Sequence, residues 1–381
     1  MNRLVVIAVS GILVGCQSAP AVLGDEKLLT QPVETEYRVN APIAFFSTFP
    51  SEAASEACLE ASDTGTPCVD DLVSPQAFLS TLTASDWFSE VLPSATAADY
   101  ELLVANQTAT MQIASPWQQF LHNSSLGYVE LPTQLRSFTE LTVQWRGVEI
   151  DSRIVNLDVN ALDASTEHHS ANTILSQWWL EVSEARVFSA RFLFSALKAS
   201  DYFTQMTLPQ SIGEFVRQDT QLYHDPFKGV ISRYLHPQYD SAMLDVTVYP
   251  ILAANFQTPP AALDAELEQD KLQAQAVTLD KGMTLDDHGG IQPIVIPGAQ
   301  TMEEGRVLQL AASADREETL FASTYVFRQQ DKIVKFTTTF PRHVADPLIA
   351  KALPEIIVPG PSRLMTEIRR LQTRQPSTQN Q

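Results

Sequence analysis

The chain has 381 residues, 44% of them hydrophobic and 18% charged, an ordinary globular composition with enough apolar material for two or three cored domains. Its formal net charge of -20 opposes polyanions and excludes a nucleic-acid role. Beyond residue 16 no apolar run is long enough to span a bilayer, so no transmembrane helix is expected. Residues 17–200 hold roughly 23 acidic and 8 basic side chains, against roughly 22 and 16 in residues 201–381, which reads as a solvated acidic face.

The first element is a short leader. Asn2 and Arg3 give a polar, positive start and residues 4–14 an apolar core too short to cross a membrane. It ends at Leu13-Val14-Gly15-Cys16, which resembles the lipobox of bacterial lipoproteins. The resemblance implies cleavage before Cys16, a diacylglyceryl group on its sulfur and a third acyl chain on its amine. Residues 1–15 are then a signal peptide, and the membrane is a partner through the lipid. Gln17 rather than Asp follows, which in proteobacterial sorting implies the outer membrane, facing the periplasm. Residues 16–39, with Pro20 and Pro32, read as the lipidated cysteine and a flexible tether.

Two further cysteines, Cys58 and Cys68, flank a segment containing Thr64-Gly65-Thr66-Pro67, which bends readily. In an oxidising compartment this even count favours a disulfide, stabilising by about 2–3 kcal/mol in the chain-entropy model. A domain is expected over residues 40–203. Its elements are a strand at Ala41-Pro42-Ile43-Ala44-Phe45-Phe46, a helix capped by Ser74-Pro75, the run Asp86-Trp87-Phe88-Ser89-Glu90-Val91 and a strand over residues 98–104. A hairpin turning at Arg146-Gly147 follows, then one long helix from Glu167 to Leu197. The order of helix, Trp87-Phe88-x-x-Val91 and Ala98-Asp99-Tyr100 resembles periplasmic α/β modules of the curli-secretion and TolB N-terminal kind, which implies protein binding.

A second domain, over residues 204–372, shows clean alternation at Leu244, Val246 and Val248, a helix opening at Pro259-Pro260, and strands over residues 305–310, 319–327 and 333–340. Ser323-x-Tyr325-Val326-Phe327, followed by Lys332-Ile333-Val334-Lys335-Phe336 and Phe340-Pro341, resembles the closing hairpin of PsbP-like domains. Residues 373–381 read as a disordered tail. The predicted fold is α+β: two mixed α/β sandwich-type domains after the leader and tether.

Chemistry is sparse. No Walker loop, H-E-x-x-H, G-x-S-x-G or G-x-G-x-x-G is present, and no catalytic residue, cofactor or metal is assigned. His168-His169 read as a solvated turn, and His224-Asp225 with His236 as turns rather than a zinc site. Lys332, Lys335 and Arg328 form a basic patch or a plain strand face. Trp178 and Trp179, adjacent on the long helix, cannot both face one core, so they are the candidate interface residues. The leading expectation is a non-enzymatic module that binds or scaffolds another envelope protein. The alternatives are a carrier of a small apolar ligand, held between the second sheet and the helix near residues 260–280, and a hydrolase centred on Asp286, Asp287 and His288. Cys16→Ser is expected to abolish acyl labelling and to move the protein from the membrane to the soluble fraction; unchanged labelling and fractionation would remove the anchor.

Overall fold

The computed structural model describes residues 21–22, 38–47, 51–62, 67–94, 98–112, 116–124, 132–159, 164–253, 259–297, 302–314 and 319–374. Cys16 and the leader lie outside these residues, as does the expected tail apart from Thr373 and Arg374. The fold is α+β, in two compact units: residues 31–188, and residues 189–381 with 1–30. No described helix is long and apolar enough to cross a membrane. A two-residue strand, β1 (Ala21–Val22), joins the sheet of the second unit.

The first unit begins with β2 (Val39–Phe46), α1 (Glu52–Ala61), β3 (Val69–Asp70) and α2 (Pro75–Ala84). It continues through β4 (Phe88–Pro93), β5 (Tyr100–Gln112), α3 (Pro116–Ser124), β6 (Thr133–Trp145), β7 (Val148–Val159) and α4 (Ala164–Glu184). The sheet order is β4-β2-β5-β6-β7, with β2 parallel to both neighbours, the remaining pairs antiparallel, and β3 paired to the far part of β5. Strand alternation sends Tyr100, Leu102 and Val104 of β5 and Leu141, Val143 and Trp145 of β6 to one face, where they are buried. Phe78 and Leu82 of α2 and Ile174, Leu175 and Trp178 of α4 are buried as well, and α4 packs on β7. Buried Asn106 fits among these apolar groups because it is satisfied: its amide donates to Ser137 Oγ (2.6 Å) and Thr139 Oγ1 (2.8 Å), and its oxygen accepts from the Val73 N–H (3.1 Å).

The opposite face carries α1, whose Ala54 and Cys58 are buried at i, i+4 spacing; Cys58 packs on Ala109 and Phe138. Cys58 and Cys68 are joined, with Cα atoms 6.3 Å apart, so the end of α1 is tied to the start of β3. Neither α1 nor α3 is foreseen in the sequence reading. Alanines and one cysteine give α1 too faint an apolar stripe, although Ser51 caps it by accepting from the Ala54 N–H at 2.9 Å.

The helix expected over residues 167–197 is two. After Glu184 the chain turns with Arg186 at φ 52°, the Val187 N–H donates to Val182 O and the Arg186 N–H to Ser183 O. This is a Schellman ending with arginine in the left-handed position usually given to glycine. Ser189 then caps α5 (Ala190–Ala196) by accepting from the Phe192 N–H. With no Gly or Pro in between, the sequence hides the break, and α5 belongs to the second unit, where the sequence alone places it in the first.

The second unit adds β8 (Ser211–Ile212), β9 (Phe215–Leu222), β10 (Val230–Leu235), β11 (Met243–Pro250), α6 (Pro259–Asp280), β12 (Thr284–Asp287) and β13 (Gln292–Pro297). After them come β14 (Met302–Ser313), β15 (Leu320–Gln329), β16 (Lys332–Thr338), α7 (Arg342–Ala352) and α8 (Arg363–Arg374). The antiparallel order is β1-β9-β10-β11-β16-β15-β14-β12, with β13 also on β14 and β8 on β9. Gly229 lies at φ 62° against the β11 backbone, where a Cβ would strike Val248 O. One face buries Leu244, Val246, Val248, Tyr325, Phe327, Val334 and Phe336 with Phe194, Ile349 and Leu353. The other buries Leu308, Leu310, Val326 and Ile333 beneath Leu263 and Leu267 of α6.

The second face corrects two readings. Where a ligand chamber is expected between α6 and the sheet, Leu263 and Leu267 pack directly on Leu308, Leu310, Val326 and Ile333 among the described residues. The basic patch does not exist either. Lys335 donates to Glu266 Oε1 (3.2 Å) and Asp270 Oδ1 (2.7 Å) of α6, and Tyr249 OH donates to Glu266. Lys332 is fully buried and paired to Asp331, also fully buried, which Arg369 Nη1 of α8 reaches at 2.9 Å. Burial pulls the Lys332 ammonium below its usual range, and Asp331 opposes that. Arg369 also donates to Ile251 O (2.6 Å), so the last helix is fastened to the ends of β11 and β16. Asp331→Ala leaves two cations without their shared carboxylate and should destabilise the second unit by about 3–5 kcal/mol in urea unfolding; a loss below about 1 kcal/mol would show that the cluster is not desolvated.

Candidate functional site

The hydrolase candidate is not assembled. Asp286 and Asp287 sit at the end of an edge strand rather than in a loop. Asp287 is taken up by Lys271 (2.5 Å) and the Gly290 N–H (2.7 Å), which hold its carboxyl below the usual range. Asp286 and His288 are 3.6 Å apart and face solvent. With one carboxylate neutralised by lysine and nothing enclosing the other two groups, no general base is poised there. Among the described residues no three His, Cys, Asp or Glu side chains gather as metal ligands. His236 Nε2 meets Glu214 Oε2 at 2.9 Å, and burial pulls His224 below its usual range.

Trp178 and Trp179 part as the helical period requires. Trp178 is 0% exposed, a core residue rather than a surface anchor. Trp179 is half-buried and stacks face to face on Trp87, ring centroids 4.7 Å apart and planes within 5°. Phe88 meets Trp179 edge-on at 5.4 Å, and Phe188 stands edge-on to Phe88 and Tyr100 at 5.1 and 5.3 Å. Edge-on contacts fix ring positions within an aromatic cluster. The sheet end at Phe88 and the turn at Phe188 thus hold the Trp87–Trp179 pair at the surface of the first unit.

Trp87 of that pair lines a shallow open groove of about 490 Å³ between α2 and α4. Trp87, Ala84 and Thr81 line it from one side, and His168 and Asn172 from the other. Ser80 Oγ lies 3.4 Å from His168 Nδ1 across the rim. A serine beside a histidine invites a nucleophile reading, but the neighbouring carboxylate, Glu167, accepts from the Ser74 N–H at 2.7 Å instead. Hydrogen bonding from the Ser74 side chain, and then from its backbone N–H, holds the Glu167 carboxyl below its usual range and links the start of α4 to the cap of α2. The groove thus has Trp87 on one side and hydrogen-bonding side chains, Ser80, Thr81, His168 and Asn172, along its edges. In the sequence Trp87 stands out only as part of the run Asp86–Val91, because its stacking partner lies on α4.

No family model matches the chain, and no curated protein matches it in sequence. Solved structures with partial likeness include the cyanobacterial PsbP protein CyanoP from Synechocystis sp. PCC 6803, at 9% identity and TM-score 0.29 over 42% of this chain and 89% of that one. Another is a Pseudomonas aeruginosa protein of unknown function, 17% identical, TM-score 0.22, over 42% of this chain and 99% of that one. A third is a DUF330 protein from Xanthomonas campestris, 9% identical, TM-score 0.21, over 40% and 86%. At these scores none of the three bears on function.

Glu167 ties the groove to pH. Its folded pKa lies below the unfolded one, so its contribution is complete above the ordinary carboxylate range and is lost as pH falls through the depressed value. Glu167→Gln should flatten the acid side of the stability profile of the first unit, and an unaltered profile would detach Glu167 from the frame. Trp87→Ala should remove the coupled tryptophan signal in near-ultraviolet circular dichroism and cost about 1–3 kcal/mol.

Proposed function

We propose that the protein is a lipid-anchored, non-enzymatic module of the bacterial envelope that binds another envelope protein through the α2–α4 groove. The observation that carries this is the stacked Trp87–Trp179 pair, half-exposed beside a groove whose walls are cross-linked by Glu167 and Ser74. Aromatic side chains held rigid at a surface give large contact area at little entropic cost. The address rests on Leu13-Val14-Gly15-Cys16 and Gln17, which favour the outer membrane with the folded units in the periplasm. The acidic surface suits a protein partner and opposes a nucleic acid.

A photo-cross-linking residue at Thr81 or Asn172, in cells making the full chain, should give a defined adduct with one envelope protein. The adduct should be absent from a control at Leu279 on α6, 82% exposed, and should fall at least fivefold in Trp87→Ala. Equal adducts from groove and control positions would overturn the reading.

A further inference from the structure

The longest strands of the first unit run past the rest of its sheet. The last residue of β2 pairs with Leu103, yet β5 continues to Gln112, about 30 Å further at roughly 3.3 Å per residue. Beyond Leu103 β5 is accompanied by β6 and the two-residue β3, with β7 on the far side of β6. The next described element of the chain is α3, which presents Trp117, Phe120 and Leu121 at i, i+3, i+4 spacing. These are 65%, 57% and 38% exposed, and the Trp117 and Phe120 rings stack at 5.4 Å. The sequence around them is also charge-poor: from Leu102 to Leu135 the one charged residue is Glu130, in a chain that is 18% charged with net charge -20.

We infer that α3 is a membrane-contact element that inserts its Trp117–Phe120–Leu121 face into the interfacial layer of a lipid bilayer. Tryptophan, phenylalanine and leucine on one side of a short helix match the chemistry of that layer, where an amphipathic aromatic ring sits between headgroups and acyl chains. Anionic headgroups repel an acidic chain, and the stretch that carries α3, with Glu130 its one charged residue from Leu102 to Leu135, is repelled little. The inference extends the envelope reading but does not need the lipid on Cys16, so the two fail separately.

The test uses residues 17–381, which keep every described element and lack the lipidated cysteine, with phosphatidylethanolamine/phosphatidylglycerol vesicles. The protein should co-float with the vesicles, and Phe120→Asp should lower the partition at least tenfold, while Leu279→Asp leaves it unchanged. Brominated acyl chains should quench tryptophan emission in the parent, and Trp117→Phe should remove that quenching while retaining co-flotation. Circular dichroism confirms that each variant is folded. No co-flotation of the parent, or equal partition of Phe120→Asp and Leu279→Asp, overturns the inference, as does quenching that persists in Trp117→Phe.

Discussion

Both sheets are buried on two faces, and most of the architecture answers that requirement. A strand such as β15, with Tyr325 and Phe327 on one side and Val326 on the other all fully buried, is stable only under a cover on each side. In the second unit α6 closes one face, and α5, α7 and the segment around Leu353 close the other. In the first unit α1 takes one face and the α2–α4 pair the opposite one. Covering a sheet twice also encloses backbone ends and charged side chains. Asp331, Lys332 and Arg369 mark one such place, with Arg369 completing the carbonyl of Ile251. Lys335 with Glu266 and Asp270 marks the other. Burial pushes the Asp270 carboxyl above its usual range even beside Lys335, so this second cluster is only partly compensated.

The groove follows from the same constraint. Two helices laid side by side over one face leave a furrow between them, and its contents depend on which residues the helical period brings to its edge. On α4 those are His168 and Asn172, while Trp179 further along stacks on Trp87. The turn at Arg186 places Phe188 against Tyr100, and Phe88 and Trp179 are packed around it. The candidate site is therefore a by-product of core packing, with Trp87 joined to the core through Trp179. That continuity makes it rigid, and rigidity lowers the ordering cost of binding.

Several features were legible in the sequence because their signals are local. Ser74-Pro75 announces α2, Arg146-Gly147 turns the β6–β7 hairpin with both residues at positive φ, and the alternation Leu244, Val246, Val248 places β11 correctly. Other features depend on distant partners. Lys332 and Lys335 look like a solvated basic face until the fold closes Lys332 over Asp331 and the Gly360 carbonyl and α6 brings Glu266 and Asp270 to Lys335. Trp87 looks like one strand residue among many until α4 lays Trp179 on it. The break between α4 and α5 is hidden because arginine takes the left-handed position. The start of α3 was readable in principle, since Ser115-Pro116 before Trp117 repeats the pattern of Ser74-Pro75, but its polar residues and short length dilute the apolar spacing.

The outer strands of the first unit bear on life at high local density. β7 ends the sheet order and is twelve residues long, the kind of border on which a neighbouring copy could add a strand. It carries Glu149, Asp151, Arg153 and Asp158, and Arg153 is bridged to Asp151 and Glu181. β4, at the other border, is half that length and closes at Pro93, which offers no amide to a newcomer. Many copies crowded onto one surface would therefore meet like charge and blunt margins, and remain separate molecules instead of growing into a fibre.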